Sequence, residues 1–162
     1  MKLFKTLLTI LFISLLSSPS WSATIDDLVK REGLWYEKFT DVPFTGEVTG
    51  ETQGSIKNGV KDGAWVSYNE NGGLNYKGKW KNGRLDGAWV GYWDNGQLYH
   101  KVNYKDDQRE GIWVFYHKNG QLHAKGNWKD NRWDGAWITY QQDGTLDKEY
   151  TGTYKSDVKI SD

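Results

Sequence analysis

One word of 24 residues is written four times in this chain, as Gly63–Asp86, Gly87–Glu110, Gly111–Asp134 and Gly135–Val158. Each copy opens Gly-Ala/Ile-Trp-Val/Ile-x-Tyr, passes through Asn-Gly or Asp-Gly, and continues x-Leu. A fixed period of this size marks a repeat architecture, in which each unit buries its apolar face against its neighbours.

Within a copy the apolar residues alternate with period two, which predicts strands. Asn71-Gly72, Asn95-Gly96, Asn119-Gly120 and Asp143-Gly144 separate paired runs, and Asn-Gly between such runs signals a type I′ hairpin turn. The expected fold is all-β: an elongated single-sheet meander of tandem β-hairpins, with about eleven strands at the usual strand spacing. A two-residue turn sets Trp93 opposite Leu98, Gly91 opposite His100 and Trp89 opposite Val102. The same register sets Trp65 opposite Gly78, Ser67 opposite Tyr76, Trp113 opposite Gly126 and Phe115 opposite Ala124. Large then meets small across the strands, as good cross-strand packing requires.

This register predicts two unlike faces. Trp65, Trp89, Trp113 and Trp137 fall on one, with Leu74, Leu98, Leu122, Leu146, Trp80 and Trp128, and they form the expected core. The other carries Val66, Val90, Val114 and Ile138, the tyrosines Tyr68, Tyr92, Tyr116 and Tyr140, and Lys77, Lys101 and Lys125, and is expected to be half-solvated. The fourth copy has two extra residues between Leu146 and Gly152, which predicts an irregularity near Asp147–Tyr150.

Residues 23–62 read as an N-terminal hairpin around Glu32-Gly33 followed by a shortened repeat. The four full copies occupy 63–158. Residues 159–162 form a tail, and the chain is expected to fray after Ser156. Ahead of all this, Lys2 and Lys5 precede the apolar run Leu7–Leu16, and Ser20-Trp21-Ser22 fits the small-x-small pattern of a signal-peptidase site. Residues 1–22 therefore read as a secretory signal cleaved near Ser22/Ala23, and the protein as exported, periplasmic or secreted.

With no cysteine, the exported chain must rely on packing and hydrogen bonding alone. Ten Trp and ten Tyr supply the large apolar surfaces. Removal of Lys2 and Lys5 leaves 19 basic residues against 21 acidic, a net charge near −2. The basic footprint of a nucleic-acid partner is missing, and an anionic membrane surface gains nothing from this balance.

Gly-x-Trp-x-x-Tyr-x-x-Asn-Gly-x-Leu followed by Gly-x-Trp/Tyr-Lys resembles the MORN-repeat variant of many bacterial proteins, part of which carries the label YwqK-family antitoxin. Asp27-Leu28-Val29, Gly33-Leu34-Trp35-Tyr36 and Pro43-Phe44-Thr45-Gly46 resemble the segment that precedes the repeats in exported members. The resemblance implies a stack of antiparallel hairpins with no cofactor and no chemistry of its own. Its antitoxin label implies neutralisation of a toxin by binding.

No nucleophile elbow, phosphate loop or close catalytic carboxylate pair is present in the sequence, so no residue is expected to be catalytic. His117 and His123 are expected on opposite faces, and His100 is expected to fill the space over Gly91; this is not a metal-ligand pattern. Asp62, Asp86, Glu110 and Asp134 recur before each repeat glycine and read as joint chemistry. Tyr99 and Trp133 depart from the repeat consensus. With Tyr92 and Tyr116 they are the expected contact residues for a protein partner, since exposed aromatics make binding hot spots. The alternative is a carbohydrate or cell-wall module that uses the aromatic rings as a platform. Wall-binding repeats, however, cluster their aromatics as Trp-Tyr-Tyr, which this chain lacks.

Overall fold

The computed structural model describes residues 22–162; the expected export signal lies almost wholly outside them. Seventeen strands follow one another: β1 Ser22–Thr24, β2 Leu28–Arg31, β3 Leu34–Glu37, β4 Gly46–Thr49, β5 Thr52–Lys57, β6 Val60–Tyr68, β7 Leu74–Lys81, β8 Arg84–Leu85, β9 Gly87–Tyr92, β10 Leu98–Lys105, β11 Gln108–Arg109, β12 Gly111–Tyr116, β13 Leu122–Lys129, β14 Arg132–Trp133, β15 Gly135–Thr139, β16 Gly152–Lys155 and β17 Val158–Ser161. Fifteen of them form one open sheet that runs in chain order from β4 to β17. β1 adds to its N-terminal edge, parallel to β4, and β2 and β3 pair as a separate hairpin. Among the described residues no helix is long and apolar enough to cross a membrane.

The strand number exceeds eleven for a local reason. Each repeat begins on the far side of a bulge, so a two-residue strand (β8, β11 or β14) pairs back across the joint before the chain enters the next long strand. The expected fraying after Ser156 does not occur. Val158–Ser161 pairs with β16 as the last strand, and the 159–162 tail is mostly part of it. The two extra residues of the fourth copy do produce the irregularity, a turn over 148–150 closed by Thr151 N–H donating to Asp147 O.

The turns within the repeats are not the type I′ turns expected there. Within a repeat, Gly96 N–H donates to Trp93 O and Trp93 N–H donates to Gln97 O. Gly96 has φ +81° while Asn95 stays out of the left-handed region. That is a three-residue loop with one left-handed glycine, not type I′. The type I′ turns lie at the joints, where both central residues are left-handed: Asn82-Gly83 (φ 50° and 80°), Asp106-Asp107 (49° and 67°) and Asp130-Asn131 (51° and 64°).

The longer loop shifts the register by one, and a bulge at the start of the return strand shifts it back. Leu98 pairs with Tyr92, not Trp93; Tyr99 bulges out; His100 then pairs with Gly91 and Val102 with Trp89. Asn75 and His123 occupy the same bulged place in their repeats. Every other cross-strand pair expected from the sequence is therefore present, including Trp65–Gly78, Ser67–Tyr76, Trp113–Gly126 and Phe115–Ala124.

These pairs generate rows that cross the whole sheet. In the central row each tryptophan alternates with a small residue: Gly54, Trp65, Gly78, Trp89, Val102, Trp113, Gly126, Trp137 and Gly152. Each indole lies on the backbone of its neighbour. A Cβ at Gly78 would stand 1.8 Å from Trp89 Cε3, and one at Gly126 would stand 2.0 Å from Trp137 Cδ2. A second row sets Trp80, Tyr104, Trp128 and Tyr154 beside the first, and rings meet edge to face, as aromatic quadrupoles prefer. A single sheet thereby builds a core from rings and glycine, with Trp65, Trp113 and Trp137 buried and Trp89 and Trp80 partly so.

Candidate functional site

The sheet's two faces differ in what covers them. On the tryptophan face, one position per repeat lies over the two aromatic rows. Lys61 Nζ sits 3.9 Å from the Trp65 ring and 5.3 Å from Trp80. Arg109 takes the equivalent place over Trp113 and Trp128, at 5.8 and 4.3 Å. Trp133 takes the same position over the rings of the fourth copy, stacked on Trp137 with centroids 4.0 Å apart and edge-on to Tyr154. Leu85 holds the equivalent place ahead of the second copy. The structure thus places Trp133 against the core, not on an open contact surface. Its departure from consensus is, beside Lys61 and Arg109, a third way of covering the rings.

The opposite face has no such cover. Val66, Val90, Val114 and Ile138 are half-exposed along the middle of the sheet, and Lys77, Lys101 and Lys125 are exposed between them. Among the described residues none of these lysines lies within salt-bridge distance of a carboxylate. Ala64, Ala88, Ile112 and Ala136 continue the apolar strip toward the joints, and two shallow troughs open along it, one at Val66–Val90 and one at Ile112–Ile138. Tyr92 and Tyr116 belong to this face.

Leu74, Leu98 and Leu122 belong to it as well, which corrects their expected place among the tryptophans. The three-residue loop pairs them directly with Tyr68, Tyr92 and Tyr116, and directly paired residues share a face. Leu146 pairs likewise with Tyr140 and is 43% exposed. The predicted two-residue turn put them one residue out of step, and one residue inverts the face.

Tyr99 sits at the turn edge. Its ring packs on Trp93, with centroids 4.3 Å apart. His117 and His123 repeat this arrangement at 4.4 Å, against the expectation that they face apart, because the bulge at His123 turns its side chain toward the loop. Trp93 Nε1–H donates to Tyr116 O, and His117 Nε2 lies 2.9 Å from Tyr140 O, so each edge pair also ties its repeat to the next. Asn95 and Asn119 side chains donate to Lys118 O and Gln142 O one repeat on. His100 fills the space over Gly91 as expected: a Cβ there would meet its ring at 2.6 Å. Burial holds the His100 imidazole below its usual pKa. His123 is lowered too, first by burial and then by His117, against the opposing pull of Asp147.

The acidic residues of the joints serve the backbone. Asp62 Oδ1 accepts from Asn82 N–H and Glu110 Oε2 from Asp130 N–H, whereas Asp134 forms a salt bridge with the Lys155 ammonium at 2.9 Å. A second ladder, missed in the sequence, runs beside them. Asp107, Asn131 and Asp157 side chains accept from Leu85, Arg109 and Trp133 N–H of the preceding joint. Its signal was the column of residues that follows Asp106, Asp130 and Ser156.

Three tandem segments, residues 61–82, 85–106 and 109–130, match the model of the MORN repeat variant. Residues 61–130 are thus built of MORN-type repeats. Each match begins at Lys61, Leu85 or Arg109, the position whose residue covers the rings in the first and third repeats. No curated protein matches the chain. The match and the geometry are consistent with a repeat scaffold or binding module: an open sheet with one face covered by its own side chains and the other uncovered.

Proposed function

We infer that this is an exported, non-catalytic scaffold whose MORN-type repeats bind a protein partner through the open Val/Tyr/Lys face. The observation that carries the reading is the strip of half-exposed Val66, Val90, Val114 and Ile138 set between Lys77, Lys101 and Lys125, none of them paired with a carboxylate among the described residues. An apolar strip with fixed positive charges suits a partner surface that carries acidic residues around apolar ones, since complementary charge fixes register and speeds encounter. Tyr92 and Tyr116 flank the strip and supply aromatic anchors of the kind that dominate interface energies. Neutralisation of a toxin by covering its working surface is the specific role this mechanism suits. A sugar-binding platform has less support, because the tryptophans that would form it are packed on glycine and on one another.

The test is selective capture. Mature chain and a Val90→Glu/Lys101→Glu variant are immobilised in parallel and exposed to the envelope and secreted fractions of the source cell. The expected result is one stoichiometric protein retained by the first and lost from the second, with circular dichroism and Tm unchanged. Equal retention by both, or glycan retained without protein, refutes the reading. The amino-terminal sequence of protein recovered from cells tests export: a start at Ala23 supports it, and retained Met1 overturns it.

A further inference from the structure

We propose that the pocket between the N-terminal hairpin and the first full repeat is an oxyanion site, taking inorganic phosphate or the carboxylate of a small organic acid on the ammonium groups of Lys30 and Lys61. The pocket measures about 160 Å³, and its walls are Trp35, Trp80, Val60, Gly33 and Gly83. That is below the roughly 300–1,000 Å³ of pockets for drug-sized ligands, so the occupant is one small anionic group. The hairpin is held there by backbone bonds: Trp35 N–H donates to Gly59 O, and Trp35 O accepts from Phe44 N–H.

Charge supplies the second argument. Lys61 is half-buried and Lys30 stands near enough to disfavour its charge, and burial and this repulsion both hold Lys61 below the ordinary lysine range. Neither ammonium has a carboxylate within 4 Å among the described residues. Two like charges that line one small, aromatic-walled pocket repel each other, and an anion bound between them relieves that repulsion.

The protein contains its own control. Arg109 covers Trp113 and Trp128 just as Lys61 covers Trp65 and Trp80. Covering the rings therefore accounts for a cation at this position. It does not account for Lys30, nor for the pocket that Lys30 and Lys61 line together at the first repeat. This inference is independent of the open face and its partner.

The experiment titrates the mature chain with inorganic phosphate and, separately, acetate at constant ionic strength set with chloride, followed by heteronuclear NMR and by Tm. Saturable one-to-one binding of either anion is expected, weakened at least tenfold in both Lys30→Met and Lys61→Met and unchanged in Arg109→Met. The anion that saturates identifies the ligand chemistry as phosphate or carboxylate. Lys30 is exposed, so its variant is the deciding one if Lys61→Met fails to fold. No saturable binding of either anion, binding that survives either substitution in a folded variant, or equal loss in Arg109→Met overturns the proposal.

Discussion

Trp133 lies face to face on Trp137, with ring centroids 4.0 Å apart and planes 9° from parallel. It closes the aromatic stack of the fourth repeat where Lys61 and Arg109 close those of the first and third. Trp133→Ala should uncover Trp137 and Tyr154 and cost about 2–4 kcal/mol, below the upper range for a fully buried tryptophan because Trp133 is only partly buried. Trp133→Leu, which puts here the residue type that Leu85 supplies at the equivalent position, should recover about half. Urea denaturation of both variants checks this, and a Trp133→Ala stability within error of the parent would remove Trp133 from the core.

The glycines under the indoles should be equally intolerant. At Gly78 and Gly126 a Cβ would overlap Trp89 and Trp137, and the indole rests on the backbone, so relief requires the ring to move. Gly78→Ala and Gly126→Ala should each cost about 1–3 kcal/mol, the range for overpacking, despite the usual gain of alanine over glycine in a strand. Val102, which holds the equivalent place between Trp89 and Trp113 and is buried, shows that the row can be built around a side chain when the neighbours are arranged for it. The measurement is the denaturation midpoint of each variant against the parent.

Stability should fall as the solution is acidified through the histidine range. Burial holds His100 below its usual pKa in the folded protein, where Gly91, Tyr99 and Phe115 surround it with no carboxylate in contact. A lowered folded pKa means that the unfolded chain binds more protons, so stability rises with pH across this window. It is fully present above the unfolded value of about 6.5 and lost as pH falls below it toward the folded value. His123 contributes in the same direction through burial and His117. His100→Phe should flatten the slope of stability between about pH 7 and 5, and His100→Phe with His123→Gln should flatten it further. Urea denaturation across that pH range measures it; an unchanged slope in the double variant would place the titration elsewhere.

The hairpin repeat, the glycine-tryptophan row and most of the strand register were legible in the sequence, because period-two alternation and large-small matching are local and repeated four times. The turn classes were not. Asn95-Gly96 and Asn82-Gly83 are the same dipeptide, yet only the second pair is left-handed at both residues. The first sits in a three-residue loop and the second in a two-residue joint turn, a difference the dipeptide does not encode, and the compensating bulge at Tyr99 has no sequence signature of its own. One hidden residue of shift moved Leu74, Leu98 and Leu122 to the other face and brought His117 to His123. The open Val/Lys strip was legible; the cover provided by Trp133 was not, because it is visible only when Lys61, Leu85, Arg109 and Trp133 are read as one structural column.

That same column logic makes a prediction at the joints. Asp107 stands at φ 67° in a type I′ turn, and its carboxylate accepts the Leu85 N–H of the preceding joint at 2.7 Å. Gly59 and Gly83 occupy the equivalent place in the earlier joints, so the position tolerates a residue with no side chain but asks for left-handed backbone. Asp107→Ala should lose both the bond and the conformational ease, costing about 1.5–2.5 kcal/mol, whereas Asp107→Gly should lose only the bond and cost about 1 kcal/mol. Because the bond ties one repeat to the next, amide exchange at Leu85 should quicken in both variants by a similar factor, while global stability separates them. Equal stability of the two variants would show that the turn carries no backbone strain, and unchanged exchange at Leu85 would show that the carboxylate does not hold the joint.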